Sequence, residues 1–196
     1  DKDFLASLGA IPCPYHRYYY LTDHMLEEEK EAAATVGTRG EVIKNLEKEL
    51  YELYRNPNLS DKPEMLSKRG GALYSEAACS LMNSIYNDKK DIQIVNVLNN
   101  GAIADLPDDV VIETNCVIDK NGAHPLNIGH VPIQIRGLMQ VVKAYEELTV
   151  AAGIKGDYNL ALQALTMNPL VPSVATARKI LDDIIKENNN YLPQFK

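Results

Sequence analysis

The stretch VVIETNCVIDKNGAHPLNI, residues 110–128, decides the fold. Residues 110–118 are short and β-branched and predict a strand. Asn121-Gly122 is a tight-turn dipeptide, because both residues tolerate the positive φ of a two-residue hairpin loop. Residues 123–128 then return as the partner strand, and residues 92–98 (IQIVNVL) read as another. The result is a small, largely antiparallel sheet.

Outside this block the apolar spacing is helical. Thr38 and Glu41 match a capping box, and Ile43, Leu46, Leu50 and Leu53 follow at spacings of three and four. Asn56-Pro57-Asn58 stops that helix. Residues 26–36, which include Glu27, Glu28 and Glu29, read as a solvated helix. A further helix is expected to begin near Tyr18, after the prolines of residues 11–20. Residues 63–68 read as a polar connector, with a helix after Gly70-Gly71 that buries Ala78, Leu81, Met82 and Ile85.

From Gln134 onward the chain is helical. Leu138, Val141, Val142, Tyr145 and Leu148 form one stripe, and Gly153 is the expected end. Asp157 caps the next helix, which Pro169 terminates; Ser173 caps the last, whose Val174, Ala177, Ile180, Leu181 and Ile184 face the core. The fold class is therefore α+β, a small mainly antiparallel sheet with several packed helices.

The 196 residues fit one compact domain, or one large domain with an appended arm, and 45% apolar residues allow a sizeable core. A net charge of −7 without a basic stripe argues against nucleic acid or an anionic membrane as partner. No apolar run reaches the roughly 18 residues of a membrane span, and residues 1–15 lack the pattern of a signal peptide. Cys13, Cys79 and Cys116 are odd in number and scattered, unlike a secreted disulfide framework, so a cytoplasmic location is expected. The chain lacks an initiator Met and starts inside an apolar-periodic segment, which reads as a fragment or processed product.

The strongest chemical signal is KRGGALYSE, residues 68–76. Gly70 and Gly71 at a helix mouth let backbone N–H groups approach an anion, and Lys68 and Arg69 add positive charge. Tyr74 falls in the first turn, where these terms and the helix dipole favour a phenolate and make it a candidate general base. The same residues also read as an ordinary helix start with a half-buried tyrosine. Asn99 and Asn100, before Gly101, follow a strand end; they are candidate substrate amides or a plain turn. Cys13 and His16 have C-x-x-H spacing, but a metal site needs three or four ligands, so His16 is expected to pack beside the tyrosines. Tyr18, Tyr19 and Tyr20 could line a sugar pocket, although three in a row on a helix point three ways.

KRGGALYSE, with IPCPYHRYYY (residues 11–20) and NNGAIADLPDDVVIE (residues 99–113), resembles glycoside hydrolase family 4, and within it most the 6-phospho-β-glucosidases. The resemblance continues through GLMQVVKAYEELTVAA to NPLVPSVATARKIL and covers nearly the whole chain. It implies that residues 1–196 are the C-terminal domain, similar to that of lactate and malate dehydrogenases. An N-terminal Rossmann domain would stand outside this chain. It further implies hydrolysis of phosphorylated disaccharides with NAD and a divalent metal, usually manganese. In that chemistry hydride leaves C3 of the sugar, a tyrosine takes the C2 proton, and the C1 group is eliminated before water adds.

The family's tyrosine base matches Tyr74. Its metal-binding cysteine and histidine lie upstream, so this chain supplies no metal ligand and Cys13 and His16 do not stand in for them. Lys68, Arg69, Gly70 and Gly71 are then expected around the sugar phosphate or metal. Implied partners are a phosphorylated sugar, the Rossmann domain and further copies of the protein. An assembly and substrate-lid module without activity, or a domain of a related α-glucosidase or α-galactosidase, are the alternatives.

Overall fold

The computed structural model describes residues 2–71 and 73–195. In chain order its helices are α1 (Lys2–Leu8), α2 (Arg17–Tyr20), α3 (Thr22–Thr35), α4 (Arg39–Tyr54), α5 (Met65–Arg69) and α6 (Tyr74–Tyr86). After the strands follow α7 (Ile133–Lys155), α8 (Tyr158–Met167) and α9 (Val174–Glu187). Short 3-10 turns occupy Pro14–His16 and Pro193–Phe195.

The strands β1 (Asp91–Leu98), β2 (Val111–Asp119) and β3 (Gly122–Pro125) form one sheet in that order. Lys90 N–H donates to the Ile118 carbonyl and Asn99 N–H to that of Val110, so β1 and β2 run antiparallel. Along β2 the residues Ile112, Thr114, Cys116 and Ile118 are buried while Val111, Glu113 and Asn115 face out, the period of a strand with one covered face. β3 is shorter than the expected 123–128 and stops at Pro125, which has no N–H for a ladder. Beyond it the Ile128 N–H donates to the Ala102 carbonyl, and Ile103 bridges Gly129.

The contacts divide the described residues into two units. The first holds residues 2–20, 96–113 and 125–195, and the second residues 21–95 and 114–124.

In the first unit Ala102, Ile103, Leu106, Val110, Ile112 and Val131 are buried together, with Val97, Ile135 and Met139 packed against them. Each large aliphatic side chain removed from water contributes about 2 kcal/mol. α7 packs on α8, and α8 on α9. α7 ends at Gly156 rather than at the expected Gly153. Gly156 adopts the left-handed conformation (φ 65°, ψ 30°), and its N–H closes on the Ala152 carbonyl at 2.8 Å. A Cβ on Gly156 would overlap the Gln194 carbonyl, whereas Gly153 has open space. Asp157 and Ser173 cap α8 and α9 as expected, accepting from Leu160 and Thr176 N–H groups at 3.1 and 3.2 Å. On α9 only Ala177 and Leu181 are buried; Val174, Ile180 and Ile184 stay exposed, because a single i, i+4 stripe meets the bundle.

In the second unit Thr38 and Glu41 complete their capping box on α4. The expected connector at residues 63–68 contains α5, begun by Leu66 and Ser67 N–H groups donating to the Pro63 and Glu64 carbonyls. Proline suits that first turn because its φ is already helical and no N–H is lost. α6 turns a different side inward than expected. Ser84 is fully buried with Oγ 2.9 Å from Asp91 Oδ2, and the Gln93 amide donates to Ser84 Oγ at 2.7 Å. That tie to β1 rotates Leu81, Ser84 and Ile85 inward and leaves Ala78 and Met82 exposed.

The loop after β1 depends on Asn99, whose side chain is fully buried. Its Oδ1 accepts the Ile103 N–H at 2.8 Å. Its amide nitrogen lies 3.0, 3.0 and 2.9 Å from the carbonyls of Ile103, Leu106 and Pro107. Removing it strands several buried backbone groups. Asn99→Ala is therefore expected to lower stability by about 3 kcal/mol in urea unfolding. Asn99→Asp, which removes the donor from three carbonyls, should be no milder. Two variants unfolding at the parent's midpoint would exclude this role.

Candidate functional site

Residues 68–76 join α5 to α6 in the second unit; Ala72 lies outside the described residues. The Gly70 N–H donates to the Leu66 carbonyl at 3.2 Å and closes α5. Gly70 and Gly71 both have positive φ, 98° and 80°, which reverses the chain between the helices. Contrary to expectation, Gly70 offers no open amide, since its N–H already has a partner.

The charge of Arg69 is also matched from within. Arg69 donates through Nε and Nη2 to Glu47 Oε1 on α4, at 3.1 and 2.9 Å. The Lys68 carbonyl accepts from Arg39 at 3.1 Å. At the start of α6 the carboxylate of Glu76 accepts from the Ser75 hydroxyl at 2.9 Å and pairs with Lys62 at 3.5 Å. The Glu76 backbone N–H first, and then the Ser75 hydroxyl, hold this carboxyl below the usual carboxylate range. Its stabilisation of α6 is thus present above the ordinary carboxylate pKa and is lost as pH falls through the lowered value. The helix end that the sequence offers to a substrate anion is occupied by the chain's own carboxylate.

Tyr74 is the first residue of α6 and is 76% exposed. Its ring lies against Gly71: a Cβ there would come within 2.6 and 2.8 Å of Tyr74 Cε2 and Cδ2. Gly71 is therefore required for its φ and for the space the ring occupies. An exposed phenol held this way can exchange a proton with a ligand brought to it.

Asn99 and Asn100 belong to the first unit. Asn99, buried and fully bonded to its own loop, positions backbone instead of touching a ligand. Asn100 is exposed, with φ 44° and its N–H donating to the Asp108 carbonyl at 2.9 Å. The same loop is anchored by Asp105. Its carboxylate accepts from Val131 N–H at 2.6 Å and lies 3.0 Å from His130 Nδ1 and 3.5 Å from Arg136. The His130 contact is the first cause that lowers its pKa.

Spacing alone does not single out a second tyrosine, Tyr15. It sits on the 3-10 turn Pro14–His16 and is 75% exposed. Behind it His16 stacks on Tyr20, with centroids 5.9 Å apart and planes 17° apart. His16, Tyr19 and Tyr20 line a groove of about 430 Å³ with Ile135, Leu138 and Met139. The proline immediately before Tyr15 is the sequence signal, because it fixes the turn that presents the ring.

Among the described residues no three His, Cys, Asp or Glu side chains converge as a metal site. The sheet is antiparallel, and residues 126–132 between β3 and α7 hold a single glycine. The described residues thus hold no cluster of metal ligands, and residues 126–132 form no glycine-rich dinucleotide loop. Among the described residues no helix is long and apolar enough to cross a membrane.

Residues 1–171 match the model of the family 4 glycosyl hydrolase C-terminal domain. The chain is 55% identical over its full length to a Bacillus subtilis (strain 168) protein named "Probable 6-phospho-beta-glucosidase" and spans 44% of that protein. It is 32% identical to a maltose-6'-phosphate glucosidase of Fusobacterium mortiferum, again spanning 44% of the relative. Among solved structures it is similar to the 6-phospho-beta glucosidase of Thermotoga maritima, determined with manganese, NAD+ and glucose-6-phosphate. The TM-score there is 0.84 and the identity 38%, over 96% of this chain and 44% of that one.

The packing of Tyr74 on Gly71 yields a direct expectation. Gly70→Ala and Gly71→Ala should each carry backbone strain of about 1–3 kcal/mol. Only Gly71→Ala should also displace the Tyr74 ring, because a Cβ at Gly70 meets nothing within 4 Å. A crystal structure of the Gly71→Ala protein checks this.

Proposed function

This chain belongs to the family 4 glycosyl hydrolases, as their C-terminal domain, and on that footing we propose that the protein carrying it hydrolyses 6-phospho-β-glucosides. The carrying observation is the 55% identity that runs the whole length of this chain. The α-glucoside relative stands at 32%, which favours the β branch. A phosphorylated glucose as substrate is supported by the sugar phosphate in the Thermotoga structure.

NAD and a divalent metal, manganese in that relative, belong in this proposal to residues outside this chain, including a Rossmann domain. Bound there, the cofactor supplies transient oxidation of the sugar ring. This chain's own part is to move one proton and to help shape the pocket. Tyr74 takes the C2 proton of the sugar, supported by the resemblance at residues 68–76 and by the exposed phenol. Lys68, Arg69, Gly70 and Gly71 form its surroundings, and Asn100, positioned by Asn99, offers an exposed amide. A cytoplasmic location accords with the scattered cysteines. Assembly of copies is supported by α6, whose residues 77–86 carry no charge and leave Met82 and Tyr86 60% and 89% exposed.

A second reading places the base at Tyr15. The observation that favours it is a ring as exposed as that of Tyr74, fixed between Pro14 and His16 beside an aromatic groove. At Tyr74, by contrast, the nearby helix end is already matched by Glu76.

Tyr74→Phe and Tyr15→Phe in the full-length protein separate the two. With NAD and manganese present, turnover of an aryl β-glucoside 6-phosphate and deuterium uptake at C2 are measured. The base variant should lose about 10²–10⁴-fold in both, and the other should keep most of its rate. If neither loses deuterium uptake, both assignments are wrong. A parent protein inert toward every 6-phosphoglucoside would sink the functional reading itself.

A further inference from the structure

We propose that Cys13 is a modification site, a nucleophilic thiol that forms mixed disulfides with small disulfide compounds. The geometry rests on two prolines and one short turn. Cys13 stands between Pro12 and Pro14 and caps the 3-10 turn with extended backbone, φ −67° and ψ 160°. In a 3-10 turn residues three apart lie one above the other. The His16 N–H donates to the Cys13 carbonyl at 3.0 Å, and this brings Cys13 Sγ to 3.0 Å from His16 Nδ1.

A thiol becomes an effective nucleophile when a base takes its proton and a third group fixes that base. His16 is the base, with Nδ1 accepting the Sγ proton in the neutral tautomer that protonates Nε2. The third element is aromatic. Tyr20 stacks on the imidazole, Tyr19 flanks it at 6.5 Å, and Phe4 packs on Tyr20 at 5.1 Å. The imidazole is half-buried while Cys13 stays exposed, so the sulfur is reachable.

The reaction balances without an outside acid or oxidant beyond the disulfide itself. Cys13 Sγ gives its proton to His16 and attacks one sulfur of the reagent. A new S–S bond forms as the reagent's S–S bond breaks, and the departing thiolate takes the proton back from the His16 imidazolium. Cys13 is oxidised, and one half of the reagent leaves as a thiol. The attached half then sits beside the groove lined by His16, Tyr19 and Tyr20.

The protein carries its own controls. Cys79 is exposed on α6, and among the described residues no imidazole hydrogen-bonds it. Cys116 is fully buried, and burial pushes its thiol pKa up. The reduced full-length protein is exposed to glutathione disulfide, and the adduct at each cysteine is followed by peptide mass spectrometry. Cys13 should react at least about tenfold faster than Cys79, with Cys116 inert, and dithiothreitol should reverse the adduct. His16→Gln should bring Cys13 down to the rate of Cys79. Equal rates at Cys13 and Cys79 in the parent protein overturn the proposal without any variant. So does an unchanged Cys13 rate in His16→Gln.

Discussion

Asn99 sits where β1 ends, and its amide reaches back over the loop that it starts. A buried polar side chain persists only when its donors and acceptor find partners, and here all of those partners are backbone groups of residues 103–107. The loop they form carries Ala102, Ile103 and Leu106 into the core of the first unit. It also delivers Asp105 to the start of α7, where Val131, His130 and Arg136 meet its carboxylate. The direction of α7 follows from that anchor, and α8 and α9 pack in succession after it. Without the amide the loop has no reason to close, and the apolar residues it carries lose their places.

In the second unit electrostatics act in the opposite sense to a preformed anion site. A helix end with basic neighbours attracts negative charge, and the chain satisfies that attraction with Glu76 and Glu47. Arg69 and Glu76 thus have partners within the chain without a ligand. This also means that a phosphate arriving there competes with two carboxylates already in place. In the proposed role of this segment the phenol of Tyr74 and the glycine beneath it therefore weigh more than stored positive charge.

Local chemistry was the legible part of the sequence. Thr38 with Glu41, Asp157 and Ser173 cap the helices they were expected to cap, because a cap is decided within four residues. β1 and β2 were legible for a similar reason, since β-branched alternation is a short-range signal; the turn itself falls one residue before the expected Asn121-Gly122, at Lys120-Asn121, and Gly122 already opens β3. Gly153 and Gly156 were not separable, because the choice depends on Gln194, nearly forty residues away in sequence. Apolar spacing likewise could not tell which side of α6 meets β1, because Ser84, a polar residue, makes that contact. Asn99 and Asn100 look alike in a turn, yet one is buried and the other faces solvent.

Tyr15 and Tyr74 are the two exposed tyrosines that the proposed site draws on. A phenol ring left three-quarters in water gains little from folding, so neither Tyr15 nor Tyr74 is placed for stability. Tyr15 instead follows a proline whose φ is fixed, and the Tyr74 ring lies against Gly71. Rigid presentation matters where a proton must move over a hydrogen-bond distance, because disorder in the donor or acceptor lowers the fraction of productive encounters. Beside the exposed Tyr74 phenol, Arg69 and Glu76 are matched by the chain's own Glu47, Ser75 and Lys62.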